Sequence, residues 1–106
     1  MDVVLKQQWI AALRSGTYRQ GTGYLKDPTT GAYCCLGVLC SVHGVEPTFD
    51  RIDGYALGAD YNLVRTLLST DPNVINMFMN MNDGMGTYID NPQTFAQIAD
   101  YIDAHL

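Results

Sequence analysis

The chain has 106 residues, of which 47% are hydrophobic and 16% are charged, and its net charge is −5. This length holds one domain with one core, and this composition excludes an intrinsically disordered chain. No apolar run approaches the ~20 residues that span a bilayer, and residues 1–6 lack the segments of a signal peptide, so we expect an intracellular protein that is not inserted in a membrane.

The charge is divided unevenly along the chain. Residues 1–26 contain four basic residues and one acidic residue, whereas residues 27–106 contain two basic and ten acidic residues. So few basic residues do not supply the broad basic face of a general nucleic-acid binder. We therefore expect no general nucleic-acid binding. The basic N-terminal segment suits a single small anionic ligand, with ordinary solvation of its charges as the alternative.

The first half is predicted to hold two helices joined by a glycine-rich segment. The first helix runs from Asp2 to Ser15 and ends at Gly16. Its apolar stripe comprises Leu5, Trp9, Ala12 and Leu13. Residues 17–25 are predicted to form a loop or an irregular strand, and the turn at residues 27–31 returns the chain to Tyr33 in a hairpin or a loop.

A second helix is predicted from the spacing of apolar residues that begins at Cys35, and Gly44 ends it. Its apolar positions are Cys35, Val38, Leu39 and Val42. A buried strand is the alternative, but the length and the terminal glycine favour the helix. Gly37, its smallest residue, is expected to let another backbone approach closely.

The second half is predicted to contain three more helices. Asp53-Gly54 is typical of a hairpin, and a third helix runs from about residue 60 to residue 68 with Tyr61, Val64 and Leu68 inward. The fourth opens at Asp71-Pro72 and ends near Gly84, Thr87 to Ile89 form a short strand, and Asn91-Pro92 opens the fifth. The buried positions of the last two helices are Val74, Met77, Phe78 and Met81, then Phe95, Ile98, Ala99 and Ile102.

These elements predict one compact domain over residues 1–106. Its class is α+β, mainly α, with about five short helices and a few short strands or hairpins.

The three cysteines, Cys34, Cys35 and Cys40, are predicted to be buried packing residues. An odd number within seven positions is a poor disulfide framework and indicates a reducing compartment. A zinc site with His43 lacks the paired ligand spacing that such sites show. A nucleophilic Cys35 would need a base closer than His43, which lies two helical turns away. We expect no metal and no cofactor.

A candidate ligand site lies at the end of the first helix and in the segment that follows it. Arginines grip phosphate, glycine-rich turns present backbone N–H groups to anions, and tyrosines stack on bases. The candidate residues are Arg14, Ser15, Gly16, Tyr18, Arg19, Gln20, Gly21, Gly23 and Tyr24. The segment matches neither a Walker loop nor a dinucleotide fingerprint. A helix cap followed by a tight loop is the structural alternative.

A second polar group, Asn82 and Asp83, is a candidate contact for a ribose or a base edge. The alternative is that Asn-Asp-Gly simply ends a helix.

Three segments resemble those of a family of small phage and prophage proteins. They are residues 9–21 (WIAALRSGTYRQG), residues 33–40 (YCCLGVLC), and Met81-Asn82-Asp83 followed by residues 95–102 (FAQIADYI). Residues 45–73 are not matched. The resemblance implies a viral accessory protein in the cytoplasm of a bacterial host. Such proteins commonly counter host defence, in some cases by holding nucleotide immune signals such as cyclic dinucleotides or ADP-ribose derivatives.

The leading hypothesis is a non-enzymatic protein that binds and sequesters a phosphorylated, nucleotide-like ligand. We expect a homo-oligomer, because so small a domain forms deep pockets most easily between chains.

One alternative is an acidic inhibitor of a host enzyme, with Met77, Phe78, Met79 and Met81 as its contact surface. The other is a small nucleotide-processing enzyme that uses Asp83, His43 or the cysteines.

Overall fold

The computed structural model describes residues 1–47 and 59–106, and these residues contain five α-helices and one 3₁₀ helix. The α-helices are α1 (Val3–Arg14), α2 (Cys35–Val42), α3 (Ala59–Leu67), α4 (Pro72–Asp83) and α5 (Phe95–His105), and the 3₁₀ helix covers Gly86–Tyr88. The mainly α prediction is therefore confirmed. None of these helices, within the described residues, is long and apolar enough to cross a membrane.

The helix boundaries follow from local capping chemistry. The Asp2 carboxylate accepts a hydrogen bond from the Leu5 backbone N–H at the start of α1, and Asp71 caps α4 in the same way before Pro72. Gly16 after α1 and Gly84 after α4 both adopt left-handed backbone conformations. These predicted starts and ends are confirmed.

Helix α2 lies at the centre of the core. Cys35–Val42 form a helix rather than a strand, as predicted, and all six residues from Cys35 to Cys40 are buried. It packs against α1, α3 and α4, while α1 also lies along α5. The Trp9 indole N–H donates to the Cys35 carbonyl at 2.9 Å, so that the largest side chain of α1 is fixed against the first turn of α2.

The close approach predicted at Gly37 is confirmed. A Cβ atom built on Gly37 would lie 1.9 Å from the carbonyl oxygen of Leu25, far inside van der Waals contact. Glycine is therefore the residue that lets the loop before α2 cross the face of this helix.

Two predictions in the second half are wrong. Residues 87–89 were expected as a strand, but Gly86–Tyr88 form a 3₁₀ helix. The last helix begins at Phe95 rather than after Asn91-Pro92, because Thr94 and Gln97 form a reciprocal capping box. In that box Thr94 Oγ1 accepts from the Gln97 backbone N–H, and Gln97 Oε1 accepts from the Thr94 backbone N–H.

The buried face of α4 is rotated slightly from its predicted position. Phe78 and Met81 are buried as expected, but Ile75 and Asn82 complete the face, and Val74 and Met77 are half-buried at its edge. The buried face predicted for α5 is confirmed. Of the inward positions predicted for α3, Val64 and Leu68 are buried, whereas Tyr61 is half-buried.

β structure in the described ranges consists of isolated bridges, including those from Tyr33 to Gln20 and to Lys26. The segment between α1 and α2 is therefore a loop. The hairpin predicted at Asp53-Gly54 lies outside the described residues.

Candidate functional site

The α1–α2 loop, residues 15–34, carries most of the predicted ligand-binding residues. Its backbone is hydrogen-bonded to itself where Tyr33, at its C-terminal end, lies beside residues 19–21: the Tyr33 N–H donates to the Arg19 carbonyl and the Gly21 N–H donates to the Tyr33 carbonyl, both at 2.8 Å. A Cβ atom on Gly21 would meet the Ala32 Cβ at 2.7 Å, so that glycine allows the two sides of the loop to touch. The loop is thus folded back on itself.

Asn82 joins this loop to the core. Its side chain is 2% exposed and uses every donor and acceptor position it has. Nδ2 donates to the Gly21 carbonyl and to Asp83 Oδ1, each at 2.8 Å, and Oδ1 accepts from Gln20 Nε2 at 2.9 Å and from the Cys35 N–H at 3.2 Å. A ribose contact from Asn82 would break one of these bonds.

Gln20 extends the same network to the last helix. Its Nε2 also donates to the Gln93 carbonyl at 2.9 Å, and its Oε1 accepts from the Phe95 N–H at 3.1 Å, at the start of α5. Asp83 supports the loop at another point, since its Oδ2 accepts from the Gly23 N–H at 3.3 Å. The structure therefore brings the two predicted polar groups together, and hydrogen bonds within the chain join them.

The two predicted arginines are exposed and are held differently. Arg14, at the end of α1, forms an ion pair with Asp100 on α5, with 2.7 Å between Nη2 and Oδ1. Arg19 Nη2 donates to the Thr30 carbonyl within the loop, also at 2.7 Å. Ion pairs this exposed contribute about 0–1 kcal/mol to stability.

The remaining predicted residues have backbone or half-buried positions. Gly16 and Gly23 have φ of +76° and +82°, and no atom lies within 4 Å of a Cβ built on either. The Ser15 hydroxyl donates to the Ala12 carbonyl and accepts from the Thr17 N–H, which closes the last turn of α1. Tyr24 is half-buried in the same loop.

Tyr18 belongs to a polar group that the sequence did not reveal, which we name the Glu46 cluster. It comprises Tyr18, Lys26, Tyr33, Ser41 and Glu46. Lys26 Nζ lies 3.0 Å from Glu46 Oε1, the Tyr33 hydroxyl donates to the same oxygen, and the Ser41 hydroxyl donates to Oε2 at 3.3 Å. Tyr18 and Tyr33 pack edge to face with ring centroids 4.9 Å apart.

These contacts fix the protonation states of the Glu46 cluster. The hydrogen bond from Tyr33, with further help from Lys26, holds the pKa of Glu46 below its ordinary value of 4.5. Burial is the largest cause that raises the pKa of Tyr33, and the hydrogen bond to Glu46 is the next. The bond to Glu46 likewise raises the pKa of Lys26. At neutral pH Lys26 is therefore an ammonium, Glu46 a carboxylate and Tyr33 a neutral hydroxyl.

The three cysteines are buried, as predicted. Burial raises the pKa of Cys34 to about 12 and that of Cys35 well above its ordinary value. Neither thiol ionises at neutral pH, which opposes the nucleophilic alternative. Cys34 instead caps α2, because its sulfur accepts from the Gly37 N–H at 3.4 Å. Among the described residues, no three His, Cys, Asp or Glu side chains come together as a metal site.

The methionines predicted as a contact surface for a host enzyme are largely packed. Met81 is 2% exposed, Met79 is half-buried, and the sulfur of the half-buried Met77 accepts a hydrogen bond from the Tyr101 hydroxyl at 3.3 Å. Phe78 and Met81 are therefore core residues, whereas Met77 and Met79 keep part of their surface exposed, and the protein-inhibitor alternative stays a prediction.

The fold and the loop network define a small, mainly helical domain. Residues 1–84 match the family described as Domain of unknown function (DUF8296), and the chain belongs to this family. The match includes the α1–α2 loop and all of α4. No curated protein and no solved structure matches the chain.

Proposed function

We propose that this protein binds and sequesters a small phosphorylated, nucleotide-like ligand on its α1–α2 loop, with Arg19 as the principal phosphate contact. The observation that carries the proposal is an exposed guanidinium on a loop whose backbone is fixed from within. Within the described residues, the exposed Arg19 side chain makes one hydrogen bond, to the Thr30 carbonyl, and its other N–H groups make none. A guanidinium grips phosphate bidentately.

The buried network supports the proposal through preorganisation. A loop that is already ordered loses less conformational entropy when a ligand binds. Asn82, Gln20 and Asp83 hold the loop at Gly21 and Gly23, and in this proposal they act through the loop rather than by touching the ligand. This assignment replaces the ribose contact expected of Asn82 and Asp83.

Arg14 is the second phosphate contact in this proposal, and a ligand there competes with Asp100 for the guanidinium. The Gly21 and Gly23 N–H groups are bonded within the chain, so these glycines shape the loop. Ser15 closes α1 beside it, and Tyr18 or Tyr24 stacks on the base. Because residues 27–106 carry ten acidic and two basic residues, an anion is repelled less near the basic N-terminal segment, which includes Arg14 and Arg19.

The biological setting of the proposal comes from the resemblance to phage and prophage proteins. In that setting the protein is a homo-oligomeric accessory protein in the cytoplasm of the bacterial host, where it holds a nucleotide immune signal and counters defence. Sequestration needs no catalytic group. The raised thiol pKa values support binding over nucleophilic catalysis.

The test measures binding of a panel of nucleotides, including cyclic dinucleotides and ADP-ribose, by thermal shift and then by calorimetry. A true ligand at 100 times its Kd stabilises the fold by ~2.7 kcal/mol. Arg19→Ala is expected to weaken that binding by about 1.5–3 kcal/mol, and Arg19→Lys to restore it only in part because lysine lacks the bidentate fork.

Arg65→Ala is the matched control, because Arg65 is an exposed arginine in the last turn of α3 and is not part of the loop. It is expected to bind as the wild type does. Equal affinities of the Arg19→Ala and Arg65→Ala variants, or no stabilisation by any nucleotide, would contradict the proposal.

A further inference from the structure

The Glu46 cluster directs its hydrogen-bond donors at one negatively charged group. Lys26 and Tyr33 donate to Glu46 Oε1, and Ser41 donates to Oε2. Because the Ser41 hydroxyl hydrogen is used in this way, the Tyr18 hydroxyl is the donor in its 3.0 Å contact with Ser41 Oγ. The carboxylate thus receives an ammonium and two hydroxyls, and a third hydroxyl supports it from behind.

This donor set suits an anion of any origin. An ammonium and neutral hydroxyls that point to one position can bind a phosphate group. Lys26 Nζ also lies 5.2 Å from the centroid of the Tyr33 ring, in a cation–π contact that stabilises the ammonium. The donors come from the α1–α2 loop and from α2, whereas the acceptor lies beyond the end of α2. The donors and the anion therefore belong to separate segments.

The Glu46 carboxylate, which accepts from these donors, is accessible from solvent. The Glu46 side chain is 54% exposed, while the Lys26 side chain is 29% exposed. A carboxylate held at the surface by an ion pair and hydroxyl bonds is in competition with anions from solution, because exposed pairs contribute little.

We propose that Lys26, Tyr33 and Ser41 form a second anion site, for the phosphate group of a small molecule, and that Glu46 is an internal occupant that an external phosphate displaces. The site shares only Tyr18 with the residues proposed above, and it stands whether or not Arg19 binds a nucleotide. Displacement also separates Glu46 from the α1–α2 loop, since Glu46 is bonded to Lys26 and Tyr33 of that loop.

The test compares the affinity of the wild type and of Glu46→Ala for inorganic phosphate and pyrophosphate, measured by amide and side-chain NMR titration in a buffer without other multivalent anions. If Glu46 occupies the donors in nine molecules of ten, its removal raises the apparent affinity ~10-fold. Glu46→Gln keeps the shape of the side chain, and a smaller rise is expected from it. If Glu46→Ala fails to fold, Glu46→Gln replaces it in the comparison with the wild type.

The matched control is Asp103→Ala, which removes the same charge from an exposed position on α5 where, within the described chain, the side chain makes no hydrogen bond or ion pair. No rise in phosphate affinity is expected from it. Adding Lys26→Ala to Glu46→Ala should abolish the gain, whereas adding Arg19→Ala should leave it intact.

Three results would overturn the inference. They are equal affinities of the Glu46→Ala and Asp103→Ala variants, a gain that survives the loss of Lys26, and a gain that disappears with Arg19→Ala. The first two remove the second site and leave the proposed function standing. The third assigns the phosphate to the Arg19 site alone. Failure of every nucleotide to bind the wild type, by contrast, leaves the gain in Glu46→Ala unaffected.

Discussion

Asn82 shows how one polar side chain can fix a functional loop. It is a buried polar residue of the core, and it bonds to three separate parts of the chain: the α1–α2 loop, the start of α2 and the adjacent Asp83. A buried amide whose donors and acceptors are all matched costs little to bury, whereas removing it leaves several partners unsatisfied. Its effect on stability should therefore be large.

We predict that Asn82→Ala lowers the free energy of unfolding by about 2–4 kcal/mol, because the Cys35 N–H and the Gly21 carbonyl lose a buried partner. Urea denaturation measures this. Asn76→Ala is the control on the same helix, since the half-buried Asn76 side chain makes no hydrogen bond within the part of the chain that the structure describes, and a change within about 0.5 kcal/mol is expected. Similar losses of unfolding free energy in Asn82→Ala and Asn76→Ala would show that the buried hydrogen bonds of Asn82 contribute little to stability.

Glu46 makes stability depend on pH in a defined direction. Because its hydrogen bond from Tyr33 lowers the folded-state pKa below the ordinary 4.5, its stabilisation is present above pH 4.5 and is lost as the pH falls through the folded-state pKa. We predict that Glu46→Gln flattens the fall in unfolding free energy below pH 4.5. Urea denaturation from pH 7 to pH 3 checks this, with Asp103→Asn expected to follow the wild-type profile. A fall as steep in Glu46→Gln as in the wild type would refute it.

The contact of the α1–α2 loop with α2 rests on Gly37. A Cβ at this position would overlap the Leu25 carbonyl oxygen at 1.9 Å, and the neighbour is backbone that cannot turn away. We predict that Gly37→Ala costs about 3 kcal/mol of stability, as overpacking in a closed core does.

Gly31→Ala is the matched substitution for that prediction. Gly31 has φ of +73° with no atom within 4 Å of its Cβ position, so alanine there meets only the backbone strain of about 1–2 kcal/mol. Thermal unfolding of both variants compares them. A Gly37→Ala variant as stable as Gly31→Ala would mean that the loop does not depend on this close approach.

The helices were predictable because their signals are local. Asp2, Asp71-Pro72 and Gly84 mark helix ends within a few residues, and the apolar spacing of α5 gives its buried face. The start of α5 was predicted wrongly, because Asn91-Pro92 is also typical of a helix start. The correct signal in the sequence is the capping box that Thr94 and Gln97 form.

The loop network could not be predicted because its partners are distant in sequence. Gln20 and Gln93 are separated by 73 positions, and Cys35 and Asn82 by 47. Neither pair leaves a periodic signal. The residues of the candidate site were identified by their chemistry, whereas the way in which Asn82 joins them required the fold.

At the scale of the whole molecule, the central claim is that a loop fixed by Asn82 presents Arg19 to a phosphorylated nucleotide. A two-dimensional amide NMR titration of the wild type with a cyclic dinucleotide and with ADP-ribose tests it most directly. The claim predicts that the largest shift changes fall on the backbone amides of residues 15–24 and on the Arg19 guanidinium, with small changes in α3. Shift changes centred on α3 or on residues 86–88, or none with either nucleotide, would contradict it.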